Sequence, residues 1–306
     1  MVFPGQGSQS VGMQSGLAEI DASVRQTYTE ASEALDYDLW QLVQSGPADE
    51  LDATEVTQPA MLTAGVAAWR VWHSRGGATP DFMAGHSLGE YTALVAAGAL
   101  AFTDAVRLVR LRGQLMQNAV APGEGAMAAI IGLDDDAVLD VCTEATAAGV
   151  AEAVNFNSPG QVVISGSRSG VEKAVELAQA AGARRAILLA VSVPSHSSLM
   201  QGAGAELAAA LADTAFVDPT TSVVSSVAMR PYTDAADMRQ LLTAQVSSPV
   251  QWVKTVQAMT AAGADTLIEC GPGKVLSGLI RRIDKSLQTG IIDDAASLEK
   301  ALGLDA

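Results

Sequence analysis

The feature that most narrows what this chain can fold into is a five-residue run, Gly85-His86-Ser87-Leu88-Gly89. It stands between a short apolar strand, Phe82-Met83-Ala84, and a helical stretch that begins at Glu90. A serine at a strand-to-helix turn is held in strained backbone geometry, and glycines two residues to either side remove side chains that would clash. Its hydroxyl then stands at a helix N-terminus, where the following backbone N–H groups can stabilise an oxyanion. The same letters can also make an ordinary turn with a capping serine. The flanking strand and helix favour a nucleophile.

The rest of the chain gives that turn a setting. Met1-Val2-Phe3 reads as a strand remnant running into the glycine-rich turn Pro4-Gly5-Gln6-Gly7-Ser8-Gln9, and so short a strand suggests a native start upstream of Met1. Residues 21–44 are polar and helical in pattern. Thr57-Gln58-Pro59 looks like a helix entry with Pro59 at the first helical position. That helix is expected to run to residue 75, stop at Gly76-Gly77, and bury Met61, Leu62, Val66 and Trp69. Thr103-Asp104 is expected to cap a further helix that ends near residue 119.

After Ala121-Pro122-Gly123 the pattern changes to a strand (126–133), an acidic-headed helix (134–148), two strands (151–156 and 161–165), a helix (169–181) and a strand (186–193). The two middle strands are joined by the turn Asn157-Ser158-Pro159-Gly160. The order βαββαβ is that of a ferredoxin-like unit inserted in a larger body. Beyond Pro194 helices and strands alternate again, including a buried-looking strand at 266–270 that ends in Gly271-Pro272-Gly273. Such alternation implies an α/β fold with a mainly parallel sheet. The expected organisation is a large domain of residues 1–123 and 192–306, with a small subdomain at 124–191.

With 306 residues, 49% of them hydrophobic, the chain can bury a sizeable core. Its formal charge of −16 argues against nucleic acid and anionic membranes as partners, because both select basic surfaces. Cys142 and Cys270 lie far apart and match no metal or redox spacing, so reduced core thiols are expected and no metal site. The first residues show no basic segment followed by an apolar h-region, and no apolar run reaches the length of about 18 residues that a membrane helix needs. A soluble, cytoplasmic monomer is the expectation.

A serine nucleophile needs a base, and the chain has only three histidines. His86 adjoins Ser87 at a strand end, where neighbouring side chains point to opposite faces. His73 falls in the last turn of an apolar helix, where the helix dipole alone favours it. His196 remains, in Val193-Pro194-Ser195-His196-Ser197, on a loop where a strand leaves the inserted unit. It is either the base or a polar loop histidine.

One arginine is out of phase. In the helix after Thr103, the residues Arg107, Arg110, Gln114 and Gln117 form a polar stripe, and Arg112 falls about 180° from its centre. It shares the opposite face with Ala105, Leu108, Val109, Leu115 and Met116. Arginine does not lose its proton, so in an apolar setting it must be paired. The partner is either an internal carboxylate, with Glu90 and Glu19 as candidates, or the carboxylate of a ligand held bidentately.

Several motifs then meet in one order: Pro4-Gly5-Gln6-Gly7-Ser8-Gln9, Thr57-Gln58-Pro59-Ala60, Gly85-His86-Ser87-Leu88-Gly89-Glu90-Tyr91, Arg112-Gly113, Asn157-Ser158-Pro159-Gly160-Gln161, Pro194-Ser195-His196 and Gly271-Pro272-Gly273. Together they resemble the malonyl-CoA:acyl carrier protein transacylases of dissociated fatty acid synthesis, across nearly the whole chain. The resemblance implies an α/β-hydrolase-like body with an inserted ferredoxin-like subdomain. It implies Ser87 as nucleophile, His196 as general base and Arg112 as the group that binds the malonyl carboxylate. The backbone N–H groups of Gln6 and Leu88 would form the oxyanion hole, and the Gln251 carbonyl would orient the histidine in place of an aspartate. Gln58, Met116 and Asn157 would belong to the pocket.

Malonyl-CoA is then a substrate, with no permanently bound cofactor, and acyl carrier protein is the partner. An acidic chain meeting an acidic carrier needs a local basic patch, and Lys274, Arg281, Arg282 and Lys285 form the densest cationic cluster. Two rival readings remain. One is a serine esterase or thioesterase of α/β-hydrolase type, which would usually set its histidine nearer the C-terminus. The other is a carrier-binding protein with a dead site.

Overall fold

The computed structural model describes residues 1–191 and 193–304. Among them the strands are β1 (Val2–Phe3), β2 (Phe82–Gly85), β3 (Gly125–Ile131), β4 (Ala151–Ser158), β5 (Gln161–Ser167), β6 (Arg185–Leu188), β7 (Ser222–Val224), β8 (Thr266–Cys270) and β9 (Gln288–Ile292). They form two sheets, a five-stranded one in the order β7-β2-β1-β8-β9 and a four-stranded one in the order β4-β5-β3-β6.

Every strand pair of the larger sheet is parallel. Parallel strands are covered on both faces, and the inner strands β1 and β2 are apolar, whereas the edge strand β9 opens with Gln288 and Thr289. The two-residue alternation divides this sheet cleanly. Phe3, Met83, Val223 and Ile268 enter a core shared with the helices Thr54–Ser74 and Phe102–Asn118. Val2, Ala84, Val224 and Leu267 enter a second core with Trp252, Val256 and Leu279. β1 has only two residues, yet it is the centre of the sheet, bonded to β2 on one side and β8 on the other.

The smaller sheet is antiparallel throughout. One face packs Ile130, Val162 and Ile164 against the helices Asp135–Ala145 and Arg168–Ala180. The opposite face gathers only Met127, Val154 and Val163. The smaller sheet is tied to the rest of the chain along β4. Val250 N–H donates to the Val154 carbonyl at 2.7 Å, Phe156 N–H donates to Val250 at 3.0 Å, and the Glu152 carboxylate accepts from Ser198 N and Oγ, each at 2.7 Å.

Three local expectations need correction. The helix expected to open at Pro59 begins at Thr54, and Pro59 lies inside it. Proline costs a helix one hydrogen bond, but Thr57, Gln58, Pro59 and Ala60 are all buried, and their packing outweighs that loss. Thr103 does not cap the following helix. It is already in the first turn, and Ala101 stands at the cap position without a side-chain bond. The strand expected to reach residue 193 stops at Leu188. One further bond, Leu189 N–H to the Met127 carbonyl, precedes its departure toward a cavity. Ser192, where the larger domain was expected to resume, and residues 305 and 306 at its end lie outside the described residues.

The turn after β2 is built on contacts that only glycine permits. A Cβ on Gly89 would fall 2.1 Å from the Phe3 carbonyl oxygen, and one on Gly85 would fall 1.8 Å from the Gly89 carbonyl carbon. Both obstacles are backbone and cannot rotate away. Gly89→Ala should therefore lower the unfolding free energy by at least about 2 kcal/mol in urea denaturation. A change near zero would mean that β1 and this helix are not so closely fixed.

Candidate functional site

β2 delivers the chain to Ser87, which takes a left-handed conformation (φ 52°) just before the helix Gly89–Ala96. A non-glycine residue in that region signals stored strain. His196 is another such residue, with φ 65°, and it is 3% exposed. Its Nε2 lies 2.7 Å from Ser87 Oγ, and its Nδ1 lies 2.8 Å from the Gln245 carbonyl oxygen. A carbonyl can only accept, so Nδ1 carries the hydrogen and Nε2 presents its lone pair to the serine hydroxyl.

That carbonyl corrects the expectation placed on Gln251. Gln251 stands at the N-terminus of the helix Trp252–Ala261, and its carbonyl accepts from Thr255 N and Oγ1. Gln245 is the last residue of the helix Ala235–Gln245, where carbonyl groups have no onward helical donor and are free to meet an imidazole. Gln245 and Gln251 lie six positions apart in sequence, and the helix end places the Gln245 carbonyl at the imidazole.

Arg112 is 2% exposed, as its place on the apolar face of its helix requires. Its guanidinium donates from NH1 to Gln58 Oε1 at 2.7 Å, and from NH2 to Gln245 Oε1 at 3.1 Å and Ser87 Oγ at 3.2 Å. Nε has no hydrogen-bond partner, and no ion pair among the described residues involves this arginine. Neither acid named as a candidate neutralises it directly. Glu19 is exposed. Glu90 is fully buried, but its carboxylate accepts from Ser226 Oγ at 2.7 Å, from Gln245 Nε2 at 2.7 Å and from the Tyr232 hydroxyl.

Gln245 thus joins four groups. Its backbone carbonyl holds His196. Its side-chain oxygen faces Arg112, and its side-chain nitrogen donates to Glu90 and, at 3.0 Å, to the Ser87 carbonyl. The sequence reading missed this residue, as it missed Glu90, Ser226 and Tyr232 as members of one buried network.

The electrostatics follow from burial. Burial, joined by the Arg112 charge, pushes His196 down from 6.5 to about 3, against the opposing pull of the Gln245 carbonyl. Burial lowers His86 as well, and its Nε2 lies 2.8 Å from Asn157 Oδ1 rather than against the serine. Burial raises Glu90, while its hydrogen bonds from Tyr232, Ser226 and Gln245 oppose that rise.

Ser87, His196 and Arg112 open onto a cavity of about 360 Å³ between the two sheets, whose walls include Gln6, Leu88, Met116, Met127, Asn155 and Val163. Gln6 and Leu88 flank the serine, and neither amide N–H has a backbone acceptor among the described residues. Met116 lines the cavity, and its sulfur accepts from Gln58 Nε2 at 3.6 Å. Gln58 holds the arginine from behind the wall. Asn157 is not in the wall; it fixes His86, and Asn155 stands at the cavity instead. The register of β4 shifts twice, between Ala153 and Asn155 and between Phe156 and Ser158, so simple alternation does not tell which asparagine faces inward.

Both cysteines are buried and free, and burial raises both thiols, Cys142 to about 12. Among the described residues no group of three or more His, Cys, Asp and Glu side chains is arranged to hold a metal ion, and no helix is long and apolar enough to cross a membrane. Arg281 and Arg282 are exposed at the end of the helix Val275–Ile283, where they donate to Thr289 Oγ1 and Gln161 Oε1; Lys274 and Lys285 are exposed on either side.

Residues 1–299 match the model of the acyl transferase domain family. The chain is 54% identical to the malonyl CoA-acyl carrier protein transacylase of Salmonella typhimurium over 98% of its own length and 97% of that protein. Its fold superposes with a TM-score of 0.97 on the acyl-carrier-protein S-malonyltransferase of Burkholderia pseudomallei, which is 54% identical, and the match covers 99% of this chain and 98% of that one. A TM-score of 0.98 at 51% identity, covering 99% and 98%, relates it to a malonyl-transacylase solved in complex with its type II polyketide acyl-carrier protein.

The depressed basicity of His196 has a consequence for pH. A base must be neutral to accept a proton, and this imidazole stays neutral far below its ordinary range. The pH profile of kcat/KM for acyl transfer from a thioester should therefore be flat through 6.5, with the acid limb falling nearer 3. An acid limb centred at 6.5 would contradict a buried imidazole beside a cation.

Proposed function

This chain belongs to the acyl transferase domain family, and we propose that it moves a malonyl group from coenzyme A to the pantetheine thiol of acyl carrier protein. The observation that carries this reading is a buried guanidinium without a carboxylate partner, 3.2 Å from a hydroxyl that is itself 2.7 Å from an imidazole. An acyl group that brings its own carboxylate satisfies both ends of that arrangement at once. Relatives named for malonyl transfer, more than half identical over nearly their whole length, support the same substrate.

In the proposed reaction Ser87 Oγ attacks the thioester carbonyl as His196 Nε2 accepts its proton. The Gln6 and Leu88 amides receive the oxyanion, and coenzyme A leaves with the proton from His196. The carrier thiol then attacks the malonyl ester and reverses the steps. Gln245 holds the imidazole through a neutral carbonyl, which avoids setting a second carboxylate against the incoming malonate. The large part formed by residues 1–123 and 192–306 would supply the nucleophile, the base and the cation, and the part at 124–191 would supply the opposite wall of the cavity.

For docking we favour the surface that carries Lys274, Arg281, Arg282 and Lys285. Gly273 lies against Ser8, whose neighbours Gly7 and Gln9 line the cavity, so this cationic run begins beside the mouth. Attraction there has to overcome a formal charge of −16 on the whole chain.

Incubation with malonyl-CoA should add one malonyl group to the intact protein, and Ser87→Ala should add none. Unmodified wild-type protein would refute the acyl-enzyme. Arg112→Ala should reduce malonyl transfer about 10–100-fold more than acetyl transfer, since a charge-assisted bond contributes about 1.5–3 kcal/mol. Equal losses in side-by-side assays would remove the carboxylate role. Reversing the charge of Arg281 and Arg282 should raise KM for carrier protein alone; an equal effect on coenzyme A kinetics would assign the patch to the nucleotide.

A further inference from the structure

The charges around His196 suggest that Arg112 does more than hold a substrate. The guanidinium and the imidazole both reach Ser87 Oγ, at 3.2 and 2.7 Å, which sets their nitrogens within about 6 Å of each other. During either half of the transfer His196 takes the serine or thiol proton and becomes an imidazolium. Its other neighbours offer little compensation. His86, at the end of β2, is kept neutral by burial, and the Gln245 carbonyl is uncharged. Glu152 on β4 is engaged with Ser198, and Glu90 stands behind the Gln245 amide. The nearest charge is therefore a like charge. At about 6 Å and an effective dielectric of about 20, it slows the formation of imidazolium roughly 100-fold.

We propose that the malonyl carboxylate activates the base as well as binding: by neutralising Arg112 it removes the like charge beside the forming imidazolium and draws the guanidinium away from Ser87 Oγ. The proposal rests on the malonyl-transfer reading of the site and adds that discrimination against neutral acyl groups is partly catalytic. The balance of the step is unchanged. The Oγ–C bond forms, the C–S bond breaks, and the serine proton passes through His196 Nε2 to the departing thiolate. The acid-side direction agrees, because Arg112 is among the causes that lower His196.

Formate separates charge from tethering, since it can neutralise Arg112 without being bonded to the acyl chain and so cannot position it. With acetyl-CoA as donor and carrier protein as acceptor, sodium formate should raise the saturating rate of acetyl transfer about 10-fold over sodium chloride at equal ionic strength. It should also compete with malonyl-CoA, and Arg112→Met should abolish both effects. Formate that competes with malonyl-CoA yet leaves acetyl transfer unaccelerated overturns the proposal. So do equal single-turnover rates of Ser87 acylation by saturating malonyl-CoA and saturating acetyl-CoA, because all discrimination would then reside in binding. Intact-mass labelling in the same samples keeps the two readings apart. Malonylated Ser87 without formate acceleration sinks this inference alone, whereas unlabelled Ser87 sinks the functional reading beneath it.

Discussion

A positive charge buried without a negative partner is the constraint around which this molecule is arranged. Taking an ion out of water costs several kcal/mol unless it is compensated, and Arg112 is held at 2% exposure by three neutral oxygens, from Gln58, Gln245 and Ser87. The nearest carboxylate, that of Glu90, is one amide away. The Ser87 backbone carbonyl only accepts, so it fixes which end of the Gln245 side chain faces which neighbour: the nitrogen meets Ser87 and Glu90 and the oxygen meets the guanidinium. The cation is thereby oriented without an ion pair. A direct Glu90–Arg112 bridge would give a more stable protein with nothing left to hold a ligand carboxylate.

The fold serves that arrangement through close backbone approach. Gly89 lets the helix after Ser87 lie against β1, and the same approach brings Gln6, just beyond β1, to the cavity that Ser87 faces. Two residues in the turns that follow separate strands thus present amides to one volume because a side chain is absent between them. The smaller sheet closes the opposite wall with Met127, Asn155 and Val163, and it is anchored where Val250 bonds β4 a few residues beyond Gln245. Substrate position, base orientation and cavity wall therefore depend on adjoining stretches of one segment.

Much of this was legible in the letters, because it depended on local pattern. The strand–turn–helix around Ser87, the two-sheet α/β fold with its βαββαβ order, and the out-of-phase Arg112 each follow from periodicity or from turn chemistry. What was not legible depended on three-dimensional coincidence. Whether Gln245 or Gln251 offers its carbonyl depends on where a helix ends, and whether Asn155 or Asn157 faces the cavity depends on irregularities in β4. Pro59 misled because proline usually opens a helix, and here a fully buried segment carries the helix through it. The partner of Arg112 could not be chosen from sequence at all, since Glu90 is close to the arginine but committed to other donors.

The most direct test of this account is a crystal structure of the protein trapped as a malonyl ester on Ser87 by malonyl-CoA in the absence of carrier protein. The account predicts both malonyl carboxylate oxygens about 3 Å from the Arg112 guanidinium, with Nε finally satisfied and Glu90 still bonded to Tyr232 and Ser226. A carboxylate turned toward solvent, with Arg112 folded onto Glu90, would contradict it.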